Sequence, residues 1–364
     1  MAKIIFLEEM YMSKLRVGLI GVGGIMNGAH IPGYLTCDDC EIVAICDINP
    51  ATLKKVGEKL NIPEDRRFLN HEDLMKSGLV DVVDIATPDN MHCPIATDAV
   101  KYDLPFSVEK PMGMTYKEVK KVCDAAAEKN LPGHVCFSWH YFPYIRLMRE
   151  KLASGMLGKI YHIYVRCIRN SGMWEGRRLE WRFDEKQSAS GVMGDLSSHM
   201  FSIANFLGHE FVSVSADAGI FVKERQALDS DEILPVTTWD WCNVLAKMEN
   251  DVNATFMISR TCEHIDNWVQ IEVYGEKGRM EYVNRFGETL EVQTNKGEVI
   301  KLIPDASYKA VQSHKFINLV KNQNLDGTEA TLVDAYKSQA ALDAAYRSVK
   351  EGRWVTIAEV EKDV

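Results

Sequence analysis

The chain has no apolar run long enough to cross a bilayer, no internal repeat, no low-complexity tract and no excess of positive charge. Each absence removes a class of function. A membrane span needs about twenty consecutive apolar residues, so no integral membrane role is expected. Lys and Arg total 42 against 52 Asp and Glu, a formal net charge of −10. That is the wrong sign for a nucleic-acid or anionic-membrane partner. Residues 1–13 lack a basic stretch and carry Glu8 and Glu9, so they read as an N-terminal tail or docking arm, not a signal peptide. The nine cysteines are an odd, scattered set, which suits reduced thiols in a cytoplasm better than a disulfide framework. Cys37 and Cys40 have CxxC spacing, but no second such pair exists to complete a zinc site. That segment reads as a loop, and no metal is expected.

What is present suits a two-domain globular protein. The length is 364 residues, with 46% hydrophobic and 26% charged side chains, enough for ample cores. The most informative segment is Leu15-Arg16-Val17-Gly18-Leu19-Ile20-Gly21-Val22-Gly23-Gly24-Ile25-Met26. An apolar strand runs into clustered glycines and then a helix. Gly21 permits a tight turn, Gly23 leaves backbone bare, and the helix start offers unpaired N–H groups to a pyrophosphate. Gly24, Ile25 and Met26 complete that turn. Met26 stands where such turns favour Gly or Ala for close helix–strand packing, so the helix is expected slightly farther out.

Strand and helix then alternate to residue 137. Strands are expected over 41–46, 80–86, 105–108 and 134–137, and Asn49-Pro50 and Asn70 open helices. Such a pattern implies a doubly wound parallel sheet covered on both faces, with ligands beyond the carboxyl ends of its strands. Gly21, Asp47, Thr87 and Lys110 each fall just past a strand end, so one rim gathers all four. Asp47, twenty-six residues beyond Gly21, is placed to bind adenosine ribose hydroxyls and to repel a 2′-phosphate. NAD is therefore the expected cofactor.

The domain boundaries are set at 14–137 for the dinucleotide-binding domain and 138–364 for a substrate-binding and oligomerisation domain, with the C-terminal helix free to pack back on the first. Beyond 138 the strands follow one another: 159–169, 212–221, 239–247, 254–260 and 269–274. The last forms a hairpin with 279–283 across Gly275-Glu276-Lys277-Gly278. This α/β domain should carry a large open, mostly antiparallel sheet, whose uncovered face would drive homo-oligomer formation. Residues 332–349 read as a helix with a small-residue face.

Lys110, Asp195 and His199 carry the chemistry. Asp195 and His199 are spaced to lie one turn apart on a helix that Gly208 stops. An imidazole can take a hydroxyl proton near neutral pH. A carboxylate beside it can orient substrate, and a lysine on the cofactor rim can stabilise charge on the reacting oxygen. The same spacing also occurs in a simple surface pair.

These residues resemble the glucose–fructose oxidoreductase/inositol dehydrogenase family, often called Gfo/Idh/MocA. The matching features are Gly21-Val22-Gly23 with His30 in its helix, Thr87-Pro88-Asp89-Asn90-Met91-His92 and Glu109-Lys110-Pro111. They continue with Gly158-Lys159-Ile160, Trp181-Arg182 and Gly194-Asp195-Leu196-Ser197-Ser198-His199. The resemblance implies an N-terminal Rossmann domain, His199 as general base with Lys110 as its catalytic partner, and Asp195 on substrate or supporting the histidine. It also implies cofactor contacts at Asn90, His92 and Glu109, beside Thr87, Pro88 and Lys110 on the cofactor rim, with Trp181 and Arg182 at the cofactor–substrate boundary. Sugars, glycosides and cyclitols are the implied substrates, in dimers or tetramers. Ser138-Trp139-His140-Tyr141-Phe142 departs from an Asn-x-Arg pattern common among relatives. Trp139, His140, Tyr141, Trp174 and Arg182 are the expected substrate contacts beside Asp195 and His199, since aromatic faces stack on sugar C–H groups. Three functions compete: a dehydrogenase acting on a secondary hydroxyl, of which the 3-position of a glucoside is one fitting case; an NAD-dependent glycosidase using transient oxidation; and a dinucleotide-binding sensor without turnover.

Overall fold

The computed structural model describes residues 14–262 and 267–363; the N-terminal extension expected at 1–13 lies outside them. The described residues form two compact units that interleave along the chain. One holds the residues up to Met112, Glu118–Cys136 and Ala310–Val333. The other holds Gly113–Lys117, Phe137–Lys309 and the residues from Asp334 onward. A single boundary after 137 therefore does not describe the molecule: residues 310–333 return to the first unit. No helix among the described residues is long and apolar enough to cross a membrane.

In the first unit six parallel strands lie in the order β3-β2-β1-β4-β5-β6. They are β1 (Leu15–Ile20), β2 (Cys40–Cys46), β3 (Arg67–Phe68), β4 (Val82–Ile85), β5 (Phe106–Val108) and β6 (Gly133–Val135). The order reverses between β1 and β4, the place where such sheets open a crevice for a ligand. Asn49 caps the helix Pro50–Lys59 by accepting from Ala51 and Thr52 N–H, and Pro50 occupies its first position. Asn70 caps His71–Lys76 likewise.

The core beneath β1 explains the return of 310–333. Phe316, Ile317 and Val320, from the helix Gln312–Lys321, pack with Leu15, Val17, Leu19, Met26 and Ile31. Lys321 Nζ reaches Asp39 at 2.5 Å, and buried Lys315 pairs with Glu329 at 3.0 Å. This helix belongs to the first unit and completes its core.

The second unit carries a nine-stranded sheet in the order β16-β15-β14-β13-β7-β12-β11-β8-β17. Its strands are β7 (Ile160–Arg169), β8 (Phe211–Gly219), β11 (Trp241–Met248), β12 (Asn253–Ser259), β13 (Asn267–Gly275), β14 (Gly278–Val283), β15 (Thr289–Thr294), β16 (Val299–Lys301) and β17 (Val355–Thr356). A separate ribbon pairs β9 (Glu224–Gln226) with β10 (Ile233–Pro235). Only β7 and β12 run parallel; every other neighbouring pair of the large sheet is antiparallel. The helix Leu332–Glu351 buries its alanine face, Ala340, Ala341, Ala344 and Ala345, in this unit's core with Phe201 and Phe256. Small side chains there let the helix approach the packed core closely.

Strand alternation leaves the opposite sheet face open. Tyr164, Thr255 and Leu245 form one cross-strand row on β7, β12 and β11. Tyr164 is 42% exposed and Leu245 52%, and Met257, two residues along from Thr255 on the same face, is 41% exposed.

Candidate active site

The candidate site residues fall on both units, and each group is built by its own unit. In the first, Gly21 turns at φ +81°. A Cβ there would lie 2.6 Å from Ala86 O at the end of β4, so only glycine lets β1 turn against its neighbour. A Cβ on Gly23 or Gly24 would meet no heavy atom within 4 Å, so this backbone is uncovered. The helical segment that follows is π-helical over Met26–His30 and α-helical over Ile31–Leu35. Met26 is fully buried, and the wider π turn begins at the residue where a small side chain was expected. Asp47, just past β2, accepts from Val22 N at 3.0 Å and Asn49 N at 2.9 Å. An uncovered glycine cradle, a helix start and a carboxylate fixed beside them fit a dinucleotide with an unphosphorylated ribose.

The rim continues past β4 and β5. His92 is buried, and its ring nitrogens lie 2.8 Å from Thr87 O and 2.8 Å from Pro111 O. It ties the Thr87-Pro88 turn to the Glu109-Lys110-Pro111 segment. The expected direct cofactor contact by its nitrogens gives way to this tie, because both face backbone carbonyls. Asn90 stands in the first turn of the helix Asp89–Lys101, and Pro88 immediately precedes it. Glu109 follows β5; its carboxylate accepts from Lys110 N at 3.0 Å and meets His30 Nε2 at 2.9 Å. The other ring nitrogen of His30 meets Asp84 at 2.8 Å. In the sequence His30 is marked only by the family resemblance, and the one local signal of this cluster is Asp84, a carboxylate inside an otherwise apolar strand that needs a buried partner.

In the second unit, Asp195 lies in a π-helical turn, Met193–Ser197, that continues as the α-helix Ser198–Phe206 carrying His199. The helical segments after Gly23 and Gly191 thus each carry a π turn, Met26–His30 and Met193–Ser197, a feature frequent at functional sites. Gly194 is required: a Cβ there would lie 1.8 Å from Ala189 O. His199 is 8% exposed and Asp195 half-buried. Behind them lies a network that sequence reading missed. Asp240, fully buried, accepts from Arg260 Nε and from Phe221 and Val222 N–H, each at 2.9 Å. Arg260 also donates to Thr238 Oγ1 at 3.0 Å, and that hydroxyl donates to Arg182 O at 2.9 Å. Arg260 feels the Asp195 charge as well. Arg182 lies over the Trp181 ring at 4.2 Å.

The expected aromatic substrate contacts divide. Trp174 is 52% exposed, bonded to Asn170, with Arg177 over its face at 4.8 Å. Trp139, His140 and Tyr141 are buried. Trp139 packs on Phe142 within the core. His140 stacks on Phe206 at 4.2 Å and bonds Ser202 at 2.6 Å. Burial pushes its pKa down to about 3, so the ring is neutral. Trp139 and His140 are core side chains, and the aromatic spacing that suggested a sugar platform is a packing pattern.

Residues 15–137 match the family model described as "Oxidoreductase family, NAD-binding Rossmann fold", and residues 145–281 match "GFO/IDH/MocA C-terminal domain". The class is thus that of two-domain, NAD-binding oxidoreductases. Within it, the chain belongs to the Gfo/Idh/MocA family. Levoglucosan dehydrogenase of Pseudarthrobacter phenanthrenivorans is 23% identical over 393 aligned positions, covering 96% of this chain and 100% of the relative. D-glucoside 3-dehydrogenase of Escherichia coli is 26% identical, over 55% of this chain and 56% of its own. A solved levoglucosan dehydrogenase in complex with NADH superposes with a TM-score of 0.84 at 22% identity, over 95% of this chain and 99% of that one.

Asp47 carries a testable consequence. Asp47→Asn keeps an oxygen acceptor for the glycine turn but removes the charge expected to repel a 2′-phosphate. The preference for NAD over NADP, measured as the ratio of kcat/KM values, is expected to fall about 100-fold, the equivalent of ~2.7 kcal/mol. An unchanged ratio removes Asp47 from the ribose.

Proposed function

We propose that this protein oxidises a secondary hydroxyl of a sugar, glycoside or cyclitol. Bound NAD supplies the acceptor for the hydride. His199 takes the hydroxyl proton on its ring, while the Lys110 ammonium donates a hydrogen bond to the same oxygen as the carbonyl forms. Asp195 orients the substrate or supports the histidine. Gly21, Gly23, Gly24, Ile25 and Met26 serve the pyrophosphate, and Asp47 the adenosine ribose. Thr87, Pro88, Asn90 and Glu109 serve the nicotinamide end, and Trp181 and Arg182 its border with substrate. Trp174 and Arg182 remain the substrate contacts outside the catalytic set.

The observation that carries this reading is the complete set Lys110, Asp195 and His199 in a chain whose first unit has the NAD-binding fold. A sensor has no need of all three. The deciding experiment follows NADH absorbance across free sugars, glycosides, anhydro sugars and inositols, with glucosides tested first for oxidation at the 3-position. One NADH per substrate consumed supports the dehydrogenase. Glycoside cleavage at catalytic NAD identifies the glycosidase, and tight NAD binding without turnover on any polyol identifies the sensor.

The open row Tyr164, Thr255 and Leu245 supports a homo-oligomer through the large sheet, since exposed apolar faces on sheets favour self-association. Leu245→Lys is expected to lower the mass found by sedimentation; an unchanged mass moves the interface elsewhere. The nine cysteines are all free thiols, in keeping with a cytoplasmic location.

A further inference from the structure

We propose that His30 is a positioning residue of the dinucleotide site: clamped between Asp84 and Glu109, it fixes the Glu109 carboxylate and thereby the segment that presents Lys110. The inference rests on the role given to Lys110 above.

His30 reaches this place on the helical segment that starts at the glycine turn, Asp84 on β4, and Glu109 at the end of β5. The side chains of His30 and Asp84 are 2% and 1% exposed, and that of Glu109 12%. Ionised carboxylates only accept hydrogen bonds. With a carboxylate at each nitrogen, 2.8 and 2.9 Å away, the ring donates from both and is an imidazolium. Burial pushes its pKa down, but Asp84 and then Glu109 overcome this and raise it to about 10. The donor atoms of His30, Glu109 and Cys136 lie within 4.8 Å of one another. A ring protonated on both nitrogens does not ligate a metal, so the trio is read as an ion cluster.

The other groups facing the cluster are the Tyr34 hydroxyl, which bonds Asp84, and the Cys136 thiol, which feels Glu109, Asp84 and Lys110. Two carboxylates, the imidazolium and the Lys110 ammonium sum to zero charge. Without His30, Lys110 is the cation adjacent to Glu109 in the chain. The ammonium is then drawn toward a buried carboxylate instead of being presented to the reacting oxygen. One Glu109 oxygen already holds Lys110 N, so rotation of the carboxylate also shifts the Lys110 backbone.

The test uses the full chain with NAD. In ¹⁵N-histidine spectra, one ring, identified by its loss in His30→Gln, is expected to stay protonated on both nitrogens to pH 9. A ring that titrates near 6.5 overturns the proposal. Because the folded pKa exceeds the unfolded 6.5, His30 contributes full stability below about pH 6.5 and loses it as pH rises through about 10. Wild type is therefore expected to lose more stability than His30→Gln between pH 7 and 10. On a substrate found in the panel above, His30→Gln is expected to lower kcat about 10–100-fold with the NAD Kd within about threefold. A merely structural role would leave kcat per NAD-binding site unchanged, and that result overturns the proposal. The double variant with Glu109→Gln is expected to be no slower than Glu109→Gln alone; multiplicative losses overturn action through Glu109. If His30→Gln does not fold, Glu109→Gln decides, since it should bring the His30 titration to lower pH. Full turnover in Lys110→Ala sinks the reading of the preceding section instead, and leaves the spectroscopic result to be judged by itself.

Discussion

Lys110→Ala is expected to lower kcat by about 10³-fold and to leave the NAD dissociation constant within a factor of a few. The magnitude follows from the role. A donor aimed at charge that develops on a reacting oxygen is worth about 10²–10³ in rate, and a general base about 10²–10⁴. The cofactor's phosphates and adenosine ribose are assigned to the Gly21–Met26 turn and Asp47, which the substitution does not touch. Binding and chemistry should therefore separate. Under the proposed mechanism His199→Ala is expected to behave the same way, and the double variant to be little slower than either single one. Isothermal titration with NAD and single-turnover absorbance measure the two effects independently. Normal turnover in either variant would remove the acid–base assignment, and lost NAD binding would make Lys110 a cofactor ligand first.

The second large effect is on stability. Asp240→Ala is expected to cost about 3–5 kcal/mol, read as a lowered urea midpoint for the unit that contains it. Asp240 is fully buried and its carboxylate is shared among Arg260 Nε and the N–H groups of Phe221 and Val222. Alanine leaves a buried guanidinium without its counter-charge and two amide donors without their acceptor. The loss should reach the site, because Arg260 and Thr238 hold Arg182 O in the same network. At temperatures where the variant stays folded, KM for substrate should rise more than kcat falls. A midpoint shift under about 1 kcal/mol would mean that the network is not what orders this unit.

The parts of the fold legible in the chain were those coded by neighbours. Mostly apolar segments just before Gly21, Asp47, Thr87 and Lys110 gave the parallel sheet, because a strand buried on both faces carries few polar residues. Asn49-Pro50 marked a helix start because its capping bonds are local. The hairpin at Gly275-Glu276-Lys277-Gly278 was equally local. The two-residue strand β3 and the ribbon of β9 and β10 left no such trace, since strands so short have no periodicity. The site was half legible. Lys110, Asp195 and His199 stood out by type and spacing, but Trp139 and His140 were placed on substrate because sequence does not distinguish a stacked core ring from an exposed one.

By itself, then, the sequence determined the strand–turn–helix alternation and the glycine turn with its acid, both of which depend on contacts a few residues apart. Only the tertiary structure decided that residues 310–333 complete the first unit, that His30 lies between Asp84 and Glu109, and that Asp240 and Arg260 underlie Arg182. Those pairings join residues 20 to nearly 300 positions apart in the chain. Burial excludes water there, so each charge must find its partner in space, and no local pattern encodes where that partner stands.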